Sequence, residues 1–262
     1  MRVDRINRWN PRGLWTLYRR AIKRHVLRWI DSLAGPSTTM LLYLAVLVMA
    51  RGESHRELFP GIDLVSFVAA GLVVHTACIT AFQAMASYML WERMEGIIQD
   101  QLAAPFSALE LLVGWVLGAA TCGIFTGALV TLVALAFVDW PTFHLLTLLG
   151  FAVLGTLLFA LIGVIVGLWA RKWDHYAVAE SFVLLPLGLL SGTFFLRQEV
   201  PAAASWILGA NPVFYVIDGF RSGLLGRSDG NNTFGALLLV ALVVALAILA
   251  WRLVARGWRL KP

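Results

Sequence analysis

The run Phe143–Ala170, FHLLTLLGFAVLGTLLFALIGVIVGLWA, holds 28 residues without one aspartate, glutamate, lysine or arginine. A helix rising about 1.5 Å per residue needs ~20 such residues to cross a ~30 Å hydrocarbon layer, so this run alone is long enough to span a bilayer. Five further apolar stretches lie outward from it: Leu33–Ala50, Leu64–Leu90, Ala108–Val138, Ala177–Phe195 and Thr233–Val254. The expected fold is therefore an all-α integral membrane protein of six transmembrane helices. The runs from Leu64, Ala108 and Phe143 exceed the minimum and are expected to tilt or to project beyond the bilayer.

Composition agrees with this reading. Of 262 residues 60% are hydrophobic and only 14% charged, with a mean hydropathy of +0.78, whereas a soluble domain carries about 25% charge. Tryptophans 29, 91, 140, 169, 173, 251 and 258 sit at or near the span ends, where an amphipathic ring prefers the headgroup level. The net charge of +6 is concentrated at the chain ends: residues 1–30 hold nine of the 21 basic side chains, and residues 252–262 hold four. That distribution fits cytoplasmic termini beside membrane helices and not a nucleic-acid groove. The short loops Arg51–Asp63 and Asp139–Pro141, slightly acidic, fall on the outer side under the same rule. No cleavable signal peptide is expected, since the basic leader is about 30 residues long and lacks a cleavage site.

Asn10-Pro11 is suited to cap and open a helix. Leu14, Tyr18, Ala21, Val26 and Trp29 then recur at helical spacing among Arg12, Arg19, Arg20, Lys23, Arg24 and Arg28, as in a helix lying on the membrane surface or, alternatively, a solvated basic helix. Glycines spaced as GxxxG at 114/118, 123/127, 163/167 and 188/192 are expected to let helices approach closely within the chain. Cys78 and Cys122 fall inside apolar runs and are expected to fill the core. Between Pro201 and Gly226 the reading is two short helices on the outer side: Pro201 opens the first, Asn211-Pro212 interrupts, and Val213, Ile217, Phe220 and Leu224 stripe the second. Asp218 and Arg221 are expected on its polar side as a surface ion pair, with Gly223 and Gly226 as stops.

Catalytic chemistry finds no foothold in the sequence. The only lysines, Lys23, Lys172 and Lys261, follow no glycine, so a GxxxxGK[ST] phosphate loop is absent, as are HExxH and GxSxG. No catalytic, cofactor or metal site is expected in this chain. Among buried ionisable candidates Glu110 and Glu180 lie near span ends, and His75 alone is well inside; its role is structural or pore-lining, or else a proton relay.

Two stretches carry a family resemblance. The first is Pro186-Leu187, Leu190-Ser191-Gly192, Phe194-Phe195, Val200-Pro201, Trp206, Asn211-Pro212, Tyr215 and Gly219-Phe220-Arg221; the second is Glu92–Pro105, in which Ile98, Asp100, Leu102, Ala104 and Pro105 match and Gln99 and Gln101 depart from the usual Glu and Leu. In order and spacing these resemble the permeases of type 2 ABC transporters, above all the short bacterial permeases of nodulation-factor, lipid, polysaccharide and drug export, over nearly the whole chain. The resemblance implies a single permease domain, with an amphipathic segment at 1–30, a six-span bundle at 31–254 and a cytoplasmic tail at 255–262. It also implies a bacterial inner-membrane homodimer bound to a separate ATPase subunit, which would hold the ATP and Mg, and in contact with membrane lipid. Glu92, Arg93, Glu95, Gly96, Asp100, Leu102 and Pro105 would form the ATPase coupling loop, and Pro201, Asn211, Pro212, Phe220 and Arg221 the outer helices. The loop carries two more acids than bases, against the positive-inside trend, which a basic partner would explain; a solvated acidic loop is the plainer alternative. The expected function is export of an amphipathic substrate, with a secondary transporter or channel as the rival class. The residues that touch substrate are not identified by the sequence.

Overall fold

The computed structural model describes residues 10–51, 57–59, 62–138, 140, 144–201 and 205–259. Helix α1 (Pro11–Leu27) begins where Asn10 accepts a hydrogen bond from Gly13 N and Pro11 occupies the first turn. It passes through a π-turn (Ile30–Ala34) into α2 (Gly35–Arg51). A small antiparallel hairpin, β1 (Glu57–Phe59) and β2 (Ile62–Asp63), occupies part of what reads as a loop in the sequence. Asp63 then caps α3 (Leu64–Met94), accepting from Ser66 N at 3.0 Å. A short α4 (Ile98–Ala103) leads to α5 (Ala108–Ala134), which opens with a capping box between Ser107 and Glu110. Glu110, a candidate relay residue from the sequence, is thus occupied as a helix cap and also accepts from Asn10 N. Helices α6 (Leu145–Trp169), α7 (Trp173–Ala179), α8 (Leu185–Leu189), α9 (Ser205–Ala210), α10 (Pro212–Leu225) and α11 (Asn232–Ala255) complete the chain.

Among the described residues five helices are long and apolar enough to cross a membrane: Ile30–Met49, Leu64–Met94, Ala108–Ala134, Leu145–Trp169 and Asn232–Ala255. These correspond to five of the six apolar runs. The run Ala177–Phe195 is not one helix. It is α7, a π-turn (Glu180–Leu184) and α8, and the helix ends at Leu189, with Gly192 at φ 71° just beyond. Pro186 has no N–H to give to the preceding turn, which accounts for the widened turn just before it. The broken path still climbs beside α3: Tyr176 stacks on Phe82, Gly188 lies against His75, and Thr193 lies near Gly71.

Helix α3 is buried nearly all round and forms the axis of the bundle. The glycine pairs explain how neighbours reach it. A Cβ on Gly123 or Gly127 would meet Ala81 or Ala77 of α3 at 2.9 and 2.8 Å, and one on Gly163 or Gly167 would meet Met85 or Met89 at 2.9 Å. Close approach of this kind maximises dispersion contact where lipid removes the hydrophobic drive between helices. Cys78 and Cys122 are buried free thiols. The described chain ends meet one end of the bundle, Asn10 at the start of α5 and Arg259 Nη1 donating to Trp169 O at the end of α6.

Candidate functional site

Two groups of expected site residues lie at opposite ends of α3. Arg221 packs beside Phe67 and Gly71, whereas Glu92 marks the far end, some 20 residues or ~30 Å along the helix.

At the Glu92 end the expected coupling residues divide into an inward and an outward set. Glu92 is 1% exposed. Its Oε1 lies 2.9 Å from Arg20 Nη2 of α1, an ion pair without hydrogen-bond alignment, and its Oε2 accepts from Gln101 Nε2 at 2.6 Å. Gln101 Oε1 in turn accepts from Trp115 Nε1 of α5 at 3.0 Å. Arg93 Nη1 donates to the carbonyls of Gly167, Leu168 and Ala170 at 2.8–3.0 Å, groups that the end of α6 leaves without partners. The picture of one acidic loop facing outward is therefore corrected for Glu92, whose charge is matched from within. Glu95, Gln99, Asp100 and Pro105 are exposed, and Leu102 is half-buried. Gly96 takes φ 73° with open space around it, so the turn from α3 into α4 uses a conformation that favours glycine.

Beside this network α1 runs lengthwise along α5. Leu17 lies against Gly114, Ala21 against Gly118, and His25 Nε2 sits 3.1 Å from Thr126 Oγ1. The apolar stripe expected to rest on lipid is in part a helix–helix seam, while Trp15, Val26, Leu27 and Trp29 remain exposed. Burial, reinforced by Arg24, lowers the His25 pKa to about 4, so the ring is neutral at pH 7. Arg24 is pushed down to about 9 by burial against the opposing pull of Glu92, and stays charged.

Between α1, α3 and α7 lies a cavity of about 630 Å³. Arg20, Arg24 and Arg28, one turn apart, form its basic wall. Tyr88, Trp91, Trp173 and Tyr176 form the aromatic one. Sequence reasoning noted the arginines only as dense charge; their spacing of four was the signal for a shared face. Gln83, which lines the cavity, donates through Nε2 to Glu180 at 2.5 Å. His75 Nε2 is buried without a hydrogen-bond partner among the described residues.

At the opposite end α10 is buried on every side, not striped. Asn211 caps it by accepting from Val213 N, and donates to Leu187 O and Leu190 O at 2.8 and 2.9 Å, pinning α10 to the end of α8. Pro212 occupies its first turn and Phe220 is 4% exposed. Pro201 is exposed and is not itself helical, and residues 202–204, between it and α9, lie outside the described residues, as does the expected start of the first outer helix. The expected surface ion pair of Asp218 and Arg221 is overturned. Both are buried with separate partners: Asp218 accepts from Asp229 N, Gly230 N and Ser228 Oγ, while Arg221 Nη2 donates to Gly192 O and stacks over Phe67. Gly223 does not end the helix but lets Leu148 of α6 approach, as Gly219 does for Phe151; Gly226, at φ 69°, is the stop.

The model of the family described as "ABC-2 type transporter" matches residues 12–225. The inner membrane transport permease YadH of Escherichia coli (strain K12) is 31% identical over 251 residues, covering 94% of this chain and 95% of that protein. Nodulation protein J of Rhizobium leguminosarum bv. viciae is 27% identical over 244 residues, 88% and 93% of the two chains, and that of Bradyrhizobium diazoefficiens is 25% identical over 263 residues, 93% of each. The matched span takes in α1, the α4 segment and α10 alike, and this multi-pass membrane chain belongs to the ABC-2 type transporter family as a membrane transport component.

Proposed function

We propose that the chain is the permease subunit of an ATP-driven exporter in a bacterial inner membrane, moving an amphipathic or lipid-linked substrate with ATP hydrolysed by a separate subunit. Two copies pair, both termini are cytoplasmic, and the broken path through α7 and α8 counts as the fifth of six crossings. The observation that carries this reading is the arrangement of α4. Glu95, Gln99 and Asp100 are exposed, while the base of the same segment is tied to α1, α5 and α6 through Glu92, Gln101 and Arg93. Exposed acids on the turn after α3 and on α4, beside a base that Gln101 ties to α3 and α5 and that Glu92 and Arg93 at the end of α3 tie to α1 and α6, suit a basic partner that must move these helices.

The test is co-purification of the full chain with its P-loop ATPase. Glu95→Lys with Asp100→Lys should leave the chain folded and abolish the complex, because facing charges become repulsive. Retained complex and transport would count against α4 as the docking element. The chain purified alone should show no nucleotide turnover.

A further inference from the structure

The cavity between α1, α3 and α7 has a charge arrangement that singles out one side chain. Among the described residues the one carboxylate in its lining, Asp31, is engaged by Arg28, and the acids bonded to its lining residues are engaged as well, Glu92 by Arg20 and Gln101 and Glu180 by Gln83. His25 is neutral. Arg24 is left half-buried over the Tyr88 ring, and among the described residues its guanidinium has no hydrogen-bond partner. A guanidinium presents up to five N–H donors in a fork suited to phosphate oxygens. Opposite it, Trp91 and Trp173 are each 44% exposed at the rim, the amphipathic rings that settle at headgroup depth. A volume of about 630 Å³ is in the range of small-ligand sites and far beyond what a bare phosphate fills.

We infer that this cavity seats the phosphate-bearing headgroup of a membrane amphiphile, with Arg24 as its charge contact and the aromatic wall against its uncharged part. Taken as the substrate's site, this deepens the proposed export function and rests on it; taken as binding, it stands alone. The anion meets a cation desolvated by neighbouring rings instead of a solvated arginine, so headgroup charge is read with little competition from water.

Native mass spectrometry of the full chain in neutral detergent tests this with phosphatidylglycerol, phosphatidylcholine and inorganic phosphate as probes. Phosphatidylglycerol should bind in preference to phosphatidylcholine, whose phosphate is offset by its own choline, and equimolar inorganic phosphate should not displace it. Arg24→Gln should weaken phosphatidylglycerol about tenfold, the loss of a charge-assisted contact. Arg24→Lys should restore part of it. Arg19→Gln, which removes the same charge from an exposed position of α1 outside the cavity, should change nothing. Equal losses in the Arg24 and Arg19 variants would reduce the effect to surface charge, an unchanged Arg24→Gln would remove the site, and displacement by free phosphate would make it an anion site without an amphiphile. Should Arg24→Gln not fold, hydrogen exchange on the natural chain decides: phosphatidylglycerol should protect α1 where phosphatidylcholine does not, and equal protection overturns the inference. Since no ATPase is present, a wrong export reading leaves these results standing, whereas lost headgroup preference with intact ATP-driven transport strikes only this site.

Discussion

Glu92→Gln keeps the size of the side chain and its capacity to accept from Gln101, but removes the charge facing Arg20 and Arg24. Breaking a buried ion pair by removing one partner costs about 3–5 kcal/mol. Arg20 is 44% exposed, so solvent screens its share and about 1–2 kcal/mol is the appropriate figure. For a chain of this length each kcal/mol moves the unfolding midpoint by roughly 2–4 °C, which sets an expected drop of about 2–8 °C in a thermal scan of the detergent-solubilised protein. Glu95→Gln removes the same charge three residues on, from an exposed side chain, and should stay within about 0.5 kcal/mol of the natural protein. A chain in which all these acids served only a partner would respond alike at both positions. Equal midpoints for Glu92→Gln and Glu95→Gln would refute the inward network, and Glu92 would return to the docking surface.

Two further outcomes follow from the packing of α1. Gly118→Ala places a Cβ about 2.6 Å from that of Ala21 and should lower the midpoint by an overpacking cost of about 1–3 kcal/mol, whereas Gly150→Ala, with open space around it, should be neutral in the same scan. His25 binds its proton less readily in the folded chain, at about 4 against 6.5 unfolded. Its contribution is therefore complete above pH 6.5 and is lost as pH falls towards 4, by up to about 1.4 kcal/mol per unit. Midpoints taken between pH 7 and 4.5 should fall less steeply in His25→Gln.

Features set by local composition were legible in the sequence. The uncharged run at 143–170, the cap Asn10-Pro11, the interruption at Asn211-Pro212 and the glycine pairs of α5 and α6 carry their signal within a few residues; the structure uses each as read and adds that Asn211 caps α10. What escaped was decided by partners far along the chain. Asp218 and Arg221 sit three apart on a helix, which reads as a surface pair; loop donors from Ser228 to Gly230 take the acid and carbonyls at Gly192 and Thr193 take the base. Glu92 reads as one acid of a loop because Arg20 lies 72 residues away. The π-turn before Pro186 and the end of α8 at Leu190-Ser191-Gly192 were locally encoded, but the high apolar content of the surrounding run outweighed them in a reading based on hydropathy.

A push on α4, if it receives one as proposed, reaches α1 through Glu92 and Arg20, α5 through Gln101 and Trp115, and α6 through Arg93. The last of these links is the most separable, because Arg93 touches neither the cavity nor the exposed acids. Its Nη1 carries two protons shared among three carbonyls at the end of α6, where the helix dipole adds to the attraction for a cation. Arg93→Gln shortens the side chain and leaves those carbonyls to water or to Arg259, which already holds Trp169 O. A hydrogen bond from a charged donor contributes about 1.5–3 kcal/mol, enough to loosen by tenfold or more the link from the last turn of α3, which leads into α4, to the end of α6, without touching Glu95 or Asp100. In the reconstituted complex Arg93→Gln should therefore keep its ATPase bound and turning over while less substrate moves per ATP. Measured as transport against hydrolysis in one set of proteoliposomes, an unchanged ratio would take α6 off the path from α4, and loss of the complex itself would show that Arg93 shapes the docking face instead of the link behind it.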